Sequence, residues 1–129
     1  MSVETISLWP TDFGEQLDVL TPLAILRQQG AVLGEQTKNI VVGRVHTLSE
    51  GDTFVQRFSV HCPPLGYQTD LIMVKHGIDL YPATVVIANE QGPFEDAGNP
   101  EELKTLLKKV FARPKTRKII ASLLAQALQ

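Results

Sequence analysis

The stretch from Ile40 to Cys62 constrains this chain more than any other. "IVVGRVHTL" (40–48) and "TFVQRFSVHC" (53–62) are rich in β-branched and aromatic residues, and "SEGD" joins them. Two β-prone runs around a short glycine-containing connection predict a hairpin. Closing the turn at Glu50-Gly51 pairs Leu48 with Thr53 and, further in, Gly43 with Phe58. A strand glycine then lies opposite an aromatic ring that shields its bare backbone. One face of the hairpin carries Val41, Gly43, Val45, Phe54, Phe58 and Val60 and reads as core.

"PPLG" (63–66) turns the chain into a third β-prone run, "YQTDLIMVKH" (67–76). The bend after it, with Gly77 expected to take an unusual backbone angle and Pro82 to open the next run, leads to "ATVVIAN" (83–89). These runs predict a four-stranded antiparallel meander.

Helical signals flank the meander. Residues 1–20 read as an irregular lead-in. Thr21 then fits an N-cap, Pro22 the first helical position, and Asn39 a left-handed stop. Gly30 and Gly34 lie four apart, so they weaken this helix but let another backbone come close. After a long polar loop (90–99), Asn99, Pro100 and Glu102 form a capping box ahead of a Leu103, Leu106, Leu107, Val110, Phe111 stripe. Pro114 interrupts, and Ile119, Ile120, Leu123, Leu124 and Ala127 carry a second stripe. The expectation over 1–129 is a single α+β domain: an N-terminal helix, a four-stranded antiparallel meander sheet and two C-terminal helices packed on the sheet.

Composition narrows the rest. A chain of 129 residues suits one domain, and its single cysteine, Cys62, forms no intrachain disulfide and no four-cysteine zinc site. No apolar run reaches the roughly 20 residues a spanning helix needs, and the start of the chain lacks a signal-peptide pattern. The expected location is the cytoplasm, with no membrane partner. Charge is uneven: residues 104–129 carry +7 and residues 1–103 carry −9.

The second face of the expected sheet carries Ile40, Val42, Arg44 and His46 beside Val55, Arg57, Ser59 and His61. Gln68, Asp70, Ile72 and Val74 follow, then Val85 and Ile87. A solvated face would be mostly Thr, Lys, Glu and Ser. This mixture reads either as a face partly covered by helices or as a binding surface for a second copy or another protein. Arg44 and Arg57 fall opposite each other in the expected register, with Asp70 placed to compensate Arg57. Arg44, Arg57, His61 and Asp70 are therefore binding candidates. His76, Leu80 and Tyr81 join them from the bend "HGIDLYP", which reads as a packing clasp or the rim of an interface.

Reaction chemistry finds little footing. The three histidines, His46, His61 and His76, show no metal-ligand spacing, and His61 and Cys62 point to opposite faces of one strand. No GxSxG, GxxxxGK[ST] or GxGxxG motif is present. No catalytic residue, metal or cofactor is expected. "KKVFARPKTRK" raises nucleic-acid binding through Lys104, Lys108, Lys109, Arg113, Lys115, Arg117 and Lys118. Against it stand an acidic remainder and the lack of interleaved aromatics. No named family is carried by these residues; the helix–meander–helix–helix plan is of the kind met in small bacterial domains and transfers no functional residue.

The reading is a non-catalytic protein-binding module of accessory, adaptor or immunity type. It is expected to be a homodimer, with an acidic protein as a further partner. Nucleic-acid binding through 104–118 is the first alternative. A small-molecule enzyme or sensor is the second, and it requires a closed pocket joining the sheet's histidines and arginines to the bend.

Overall fold

Thr21 starts the first helix as its sequence predicts. In the computed structural model, which describes residues 5–16 and 18–129, the Thr21 hydroxyl accepts from the Ala24 N–H at 3.0 Å. Helix α1 then runs over Pro22–Gln36. Before it, the described part of the lead-in holds only a short 3-10 turn at Phe13–Gln16. Lys38 and Asn39 both take positive φ and reverse the chain into the sheet.

Five strands follow, β1 (Val42–Glu50), β2 (Thr53–Cys62), β3 (Tyr67–His76), β4 (Ala83–Ile87) and β5 (Asp96–Ala97). They pair antiparallel in chain order. The meander is thus present with one strand more than expected. The extra strand is two residues long and lies within the 90–99 loop, where polar composition hid it. It is held to β4 by the Val85 N–H donating to Glu95 O at 3.1 Å and by Thr84 donating to Asp96 at 2.7 Å.

The hairpin register differs by two residues from the expected one. Glu50 pairs with Thr53, Gly43 with Val60 and Val45 with Phe58, because the loop is the minimal Gly51-Asp52 pair with Gly51 at φ +59. A shift of two leaves every side chain on its face, and the Phe58 ring still lies over Gly43.

The shift in β3 is of another kind. Phe58 pairs with Ile72 and Ser59 with Asp70, so Leu71 is an extra residue, a β-bulge. Beyond it the chain is out of step by one. Ile72, Val74, Val85 and Ile87, expected on the second face, therefore stand on the first, with Phe58 and Val60.

Helices α2 (Pro100–Phe111) and α3 (Pro114–Ala127) complete the chain. Asn99 caps α2 by accepting from the Glu102 N–H at 2.9 Å, and Glu102 reaches back to the Gly98 N–H, one residue beyond the usual box. All three helices lie on the Phe58 side of the sheet. Ile25, Leu26, Phe58, Val60, Cys62, Ile72, Val74, Leu103 and Leu107 form the core there, and Phe58 meets Phe111 with ring centroids 5.5 Å apart.

The bend after β3 is a turn closed by the Leu80 N–H donating to Gly77 O at 3.1 Å. The left-handed residue is Leu80, at φ 71, and not Gly77. Ile78 is exposed while Leu80 is half-buried, so only the second apolar residue of the bend folds inward. The Tyr81-Pro82 peptide is cis.

Candidate functional site

With the helices on one side, the other face of the sheet has no cover among the described residues. Strand alternation places Val42, Arg44, His46 and Leu48 of β1 there, with Val55, Arg57, Ser59 and His61 of β2. Gln68, Asp70, Met73 and Lys75 of β3 join them, then Thr84 and Val86 of β4. Met73 and Lys75 are there because the bulge turned Ile72 and Val74 away.

Four of the predicted binding residues converge on this face. Asp70 accepts from the Ser59 hydroxyl at 2.6 Å and stands 3.9 Å from the Arg57 guanidinium. Arg57 lies opposite His46 and Arg44 opposite Ser59, so the two arginines are diagonal neighbours and the like-charge pairing expected of them does not occur. His61 sits between Val42 and Gln68 in the ladder. Burial, then the nearby Arg44 charge, holds its imidazole below the usual 6.5, against an opposing pull from Asp70.

Toward the β1–β2 turn, Leu48, Val55, Met73 and Val86 form an apolar diagonal across the face, and Val42 lies at the far end of the face. Val42, Leu48, Met73 and Val86 are half-buried, and Val55, between Leu48 and Lys75, is 0% exposed. Val55 belongs to no part of the main core cluster. Its neighbours on the same face, including the aliphatic stem of Lys75, keep water from it. Arg57 and Lys75 flank this apolar diagonal, and Arg44, Asp70 and His61 lie beyond Arg57 toward the other end of the sheet.

His76, Leu80 and Tyr81 lie elsewhere. His76 is buried on the helix side, stacked on Phe54 with centroids 5.6 Å apart. Its Nδ1–H donates to Gly77 O at 2.8 Å, so Nε2 accepts from the Gln56 amide at 3.2 Å. Gln56 Oε1 in turn accepts from the Thr47 hydroxyl at 2.6 Å. Each member is satisfied, which makes this a rigid structural network. The Tyr81 hydroxyl donates to Leu20 O at 2.9 Å, and burial pushes its pKa up. Tyr81 thereby fastens the bend to the end of the lead-in.

The basic segment is partly neutralised by its own chain. Arg113 grips Glu90 with two hydrogen bonds, of 2.5 and 2.7 Å, Lys109 meets Glu95 at 3.2 Å and Lys104 meets Glu101 at 3.4 Å. Lys108, Lys115, Arg117 and Lys118 are exposed.

A groove of about 560 Å³ lies on the helix side, between α1, α2 and α3. Ile25, Phe58, Leu71 and Leu107 line it deeply, and Gln29, Gln36, Lys104 and Lys108 border it. None of its lining residues is a histidine or arginine. It does not join the sheet's charged residues to the bend, as the enzyme or sensor alternative requires. Among the described residues no group of three or more His, Cys, Asp or Glu side chains could hold a metal ion, and no helix is long and apolar enough to cross a membrane.

No protein-family model matches the chain, and neither a curated protein nor a solved structure matches it.

Proposed function

We propose that this chain is a non-catalytic protein-binding module of accessory, adaptor or immunity type, acting in the cytoplasm. Its helix-free sheet face docks on an acidic protein surface. The observation that carries this reading is the make-up of that face: an apolar diagonal of Leu48, Val55, Met73 and Val86 flanked by Arg57 and Lys75, with Arg44 and His61 further along the same face. Charged residues beside an apolar patch steer encounter and fix register, while the patch supplies the desolvated contact. Self-association of the chain belongs to the same reading.

The test uses two charge-reversed proteins with native circular dichroism. Arg44→Glu with His46→Glu alters exposed positions on the open face; Lys115→Glu with Lys118→Glu alters exposed positions on α3. A partner identified by affinity capture and mass spectrometry should be lost from the first variant and kept by the second. The opposite result, with wild-type retention on a polyanion resin that falls steeply with salt, would favour nucleic-acid binding through 104–118.

A further inference from the structure

We propose that the groove between α1, α2 and α3 receives the aromatic lead-in segment of a second copy of this chain, and that the exchange is reciprocal. The inference takes up the self-association in the reading above. It concerns the opposite side of the molecule from the open face and is independent of any partner there.

The segment itself carries the first observation. Ile6 is 82% exposed, Leu8 93%, Trp9 74% and Phe13 57%. Single exposed apolar residues are ordinary, but four within eight positions, among them the chain's one tryptophan, form a patch of the kind that marks a contact. The segment is locally shaped. Trp9 and Phe13 pack ring to ring at 6.3 Å and 57°, and the Trp9 N–H donates to the Ser7 hydroxyl at 3.3 Å. The two rings thus form one apolar hook, with Leu8 and Asp12 exposed in the same segment.

The groove answers to this hook in size and charge. Its volume of about 560 Å³ falls within the range of sites that enclose a compact apolar group. Its floor is apolar, and its borders carry Lys104 and Lys108. Residues 1–20 hold four acids and no base, so the segment and the groove borders attract each other. Each docked aromatic brings roughly 150–250 Å² of burial. A reciprocal pair of segments with the matching groove walls therefore clears the about 1,000 Å² a stable interface needs. The described part of the chain's own segment does not line its groove. It leaves the domain at Leu20, which Tyr81 holds beside the β3–β4 bend. Exchange between two copies fills both grooves, closes the assembly by a two-fold axis and leaves no further hook to propagate it.

Trp9, as the sole tryptophan, reports its own surroundings. For the full chain, emission is measured over a dilution series alongside sedimentation velocity. The expected result is a move to shorter wavelength as concentration rises, in step with conversion of monomer to dimer. Val32→Asp, at the half-exposed groove border, should abolish both changes while keeping the native circular dichroism. Trp9→Ala, in an exposed segment, should abolish the dimer and serves if Val32→Asp does not fold. Short-wavelength emission from a species that sediments as a monomer at every concentration would place the segment in its own groove and overturn the proposal. A dimer that leaves Trp9 emission at the exposed position, or that survives both substitutions, would overturn it in favour of another interface. A monomer with exposed emission at every concentration would overturn it as well.

Discussion

Gly30 of α1 and Gly43 of β1 are in backbone contact: a methyl group built on Gly30 would lie 2.5 Å from the Gly43 carbonyl oxygen, and one on Gly43 2.7 Å from the Gly30 Cα. The Phe58 ring closes the same spot from the side. The helix therefore seats on the sheet without an intervening side chain, and neither glycine can give way locally, since the clash is with main chain. Gly30→Ala raises helix propensity by nearly 1 kcal/mol, yet it must push α1 off β1, and overpacking of this kind costs roughly 1–3 kcal/mol or more. The expected outcome is a net loss of stability, read as a lower urea midpoint.

Val55 tests how dry the apolar part of the open face is. It is fully buried although no described helix lies over it. Val55→Thr preserves the shape and adds a hydroxyl with no designed partner, a change that costs roughly 1–3 kcal/mol when the site excludes water. At a wet surface position the same change is close to neutral. Chemical denaturation separates the two.

Glu90 ties the loop after β4 to the junction between α2 and α3. The hydrogen bonds from Arg113 are the main cause holding its carboxyl below the usual range, and burial opposes them. A carboxylate whose pKa is lower folded than unfolded stabilises the fold above the unfolded value. That stability is lost as pH falls through the folded one. Glu90→Gln should lower the urea midpoint near neutral pH, with the difference from wild type closing in acid and narrowing in added salt.

His61 has the opposite consequence for its cation. The folded protein disfavours the imidazolium because of burial and Arg44, while Asp70 partly offsets them; Val42 and Gln68 flank it as uncharged neighbours. The unfolded chain therefore takes up the proton first. Stability is full above the ordinary pKa of 6.5, declines as pH falls from there to the lower folded value, and then levels. His61→Gln should flatten that part of the pH–stability profile and leave the alkaline side unchanged.

Much of the fold was legible because its signals were local. Thr21 and Asn99 are caps that announce themselves by residue type, and both accept the expected N–H. The β1–β2 faces came out correctly even with the register off by two, since side-chain direction repeats at that interval. Leu71 was not legible, because Leu71-Ile72-Met73-Val74 is apolar throughout and offers no alternation from which to see an extra residue. For the same reason Met73 and Lys75 were missing from the expected face. Leu80 hid its positive φ behind a residue type that rarely takes one. The groove depends on where three helices settle relative to one another, which no local pattern encodes.

The bulge at Leu71 also changes what a position's number means. Along β3, Gln68 and Asp70 look outward, whereas Ile72, Val74 and His76 look inward, so the even-numbered side chains change sides at a single residue. A polar scan of this strand should show tolerance at even positions up to 70 and sensitivity at even positions beyond it. Deleting Leu71 would restore one uninterrupted phase and oblige either Met73 and Lys75 or Gln68 and Asp70 to exchange sides. One residue thus acts as the phase marker that lets a single strand serve a core at one end and a charged surface at the other.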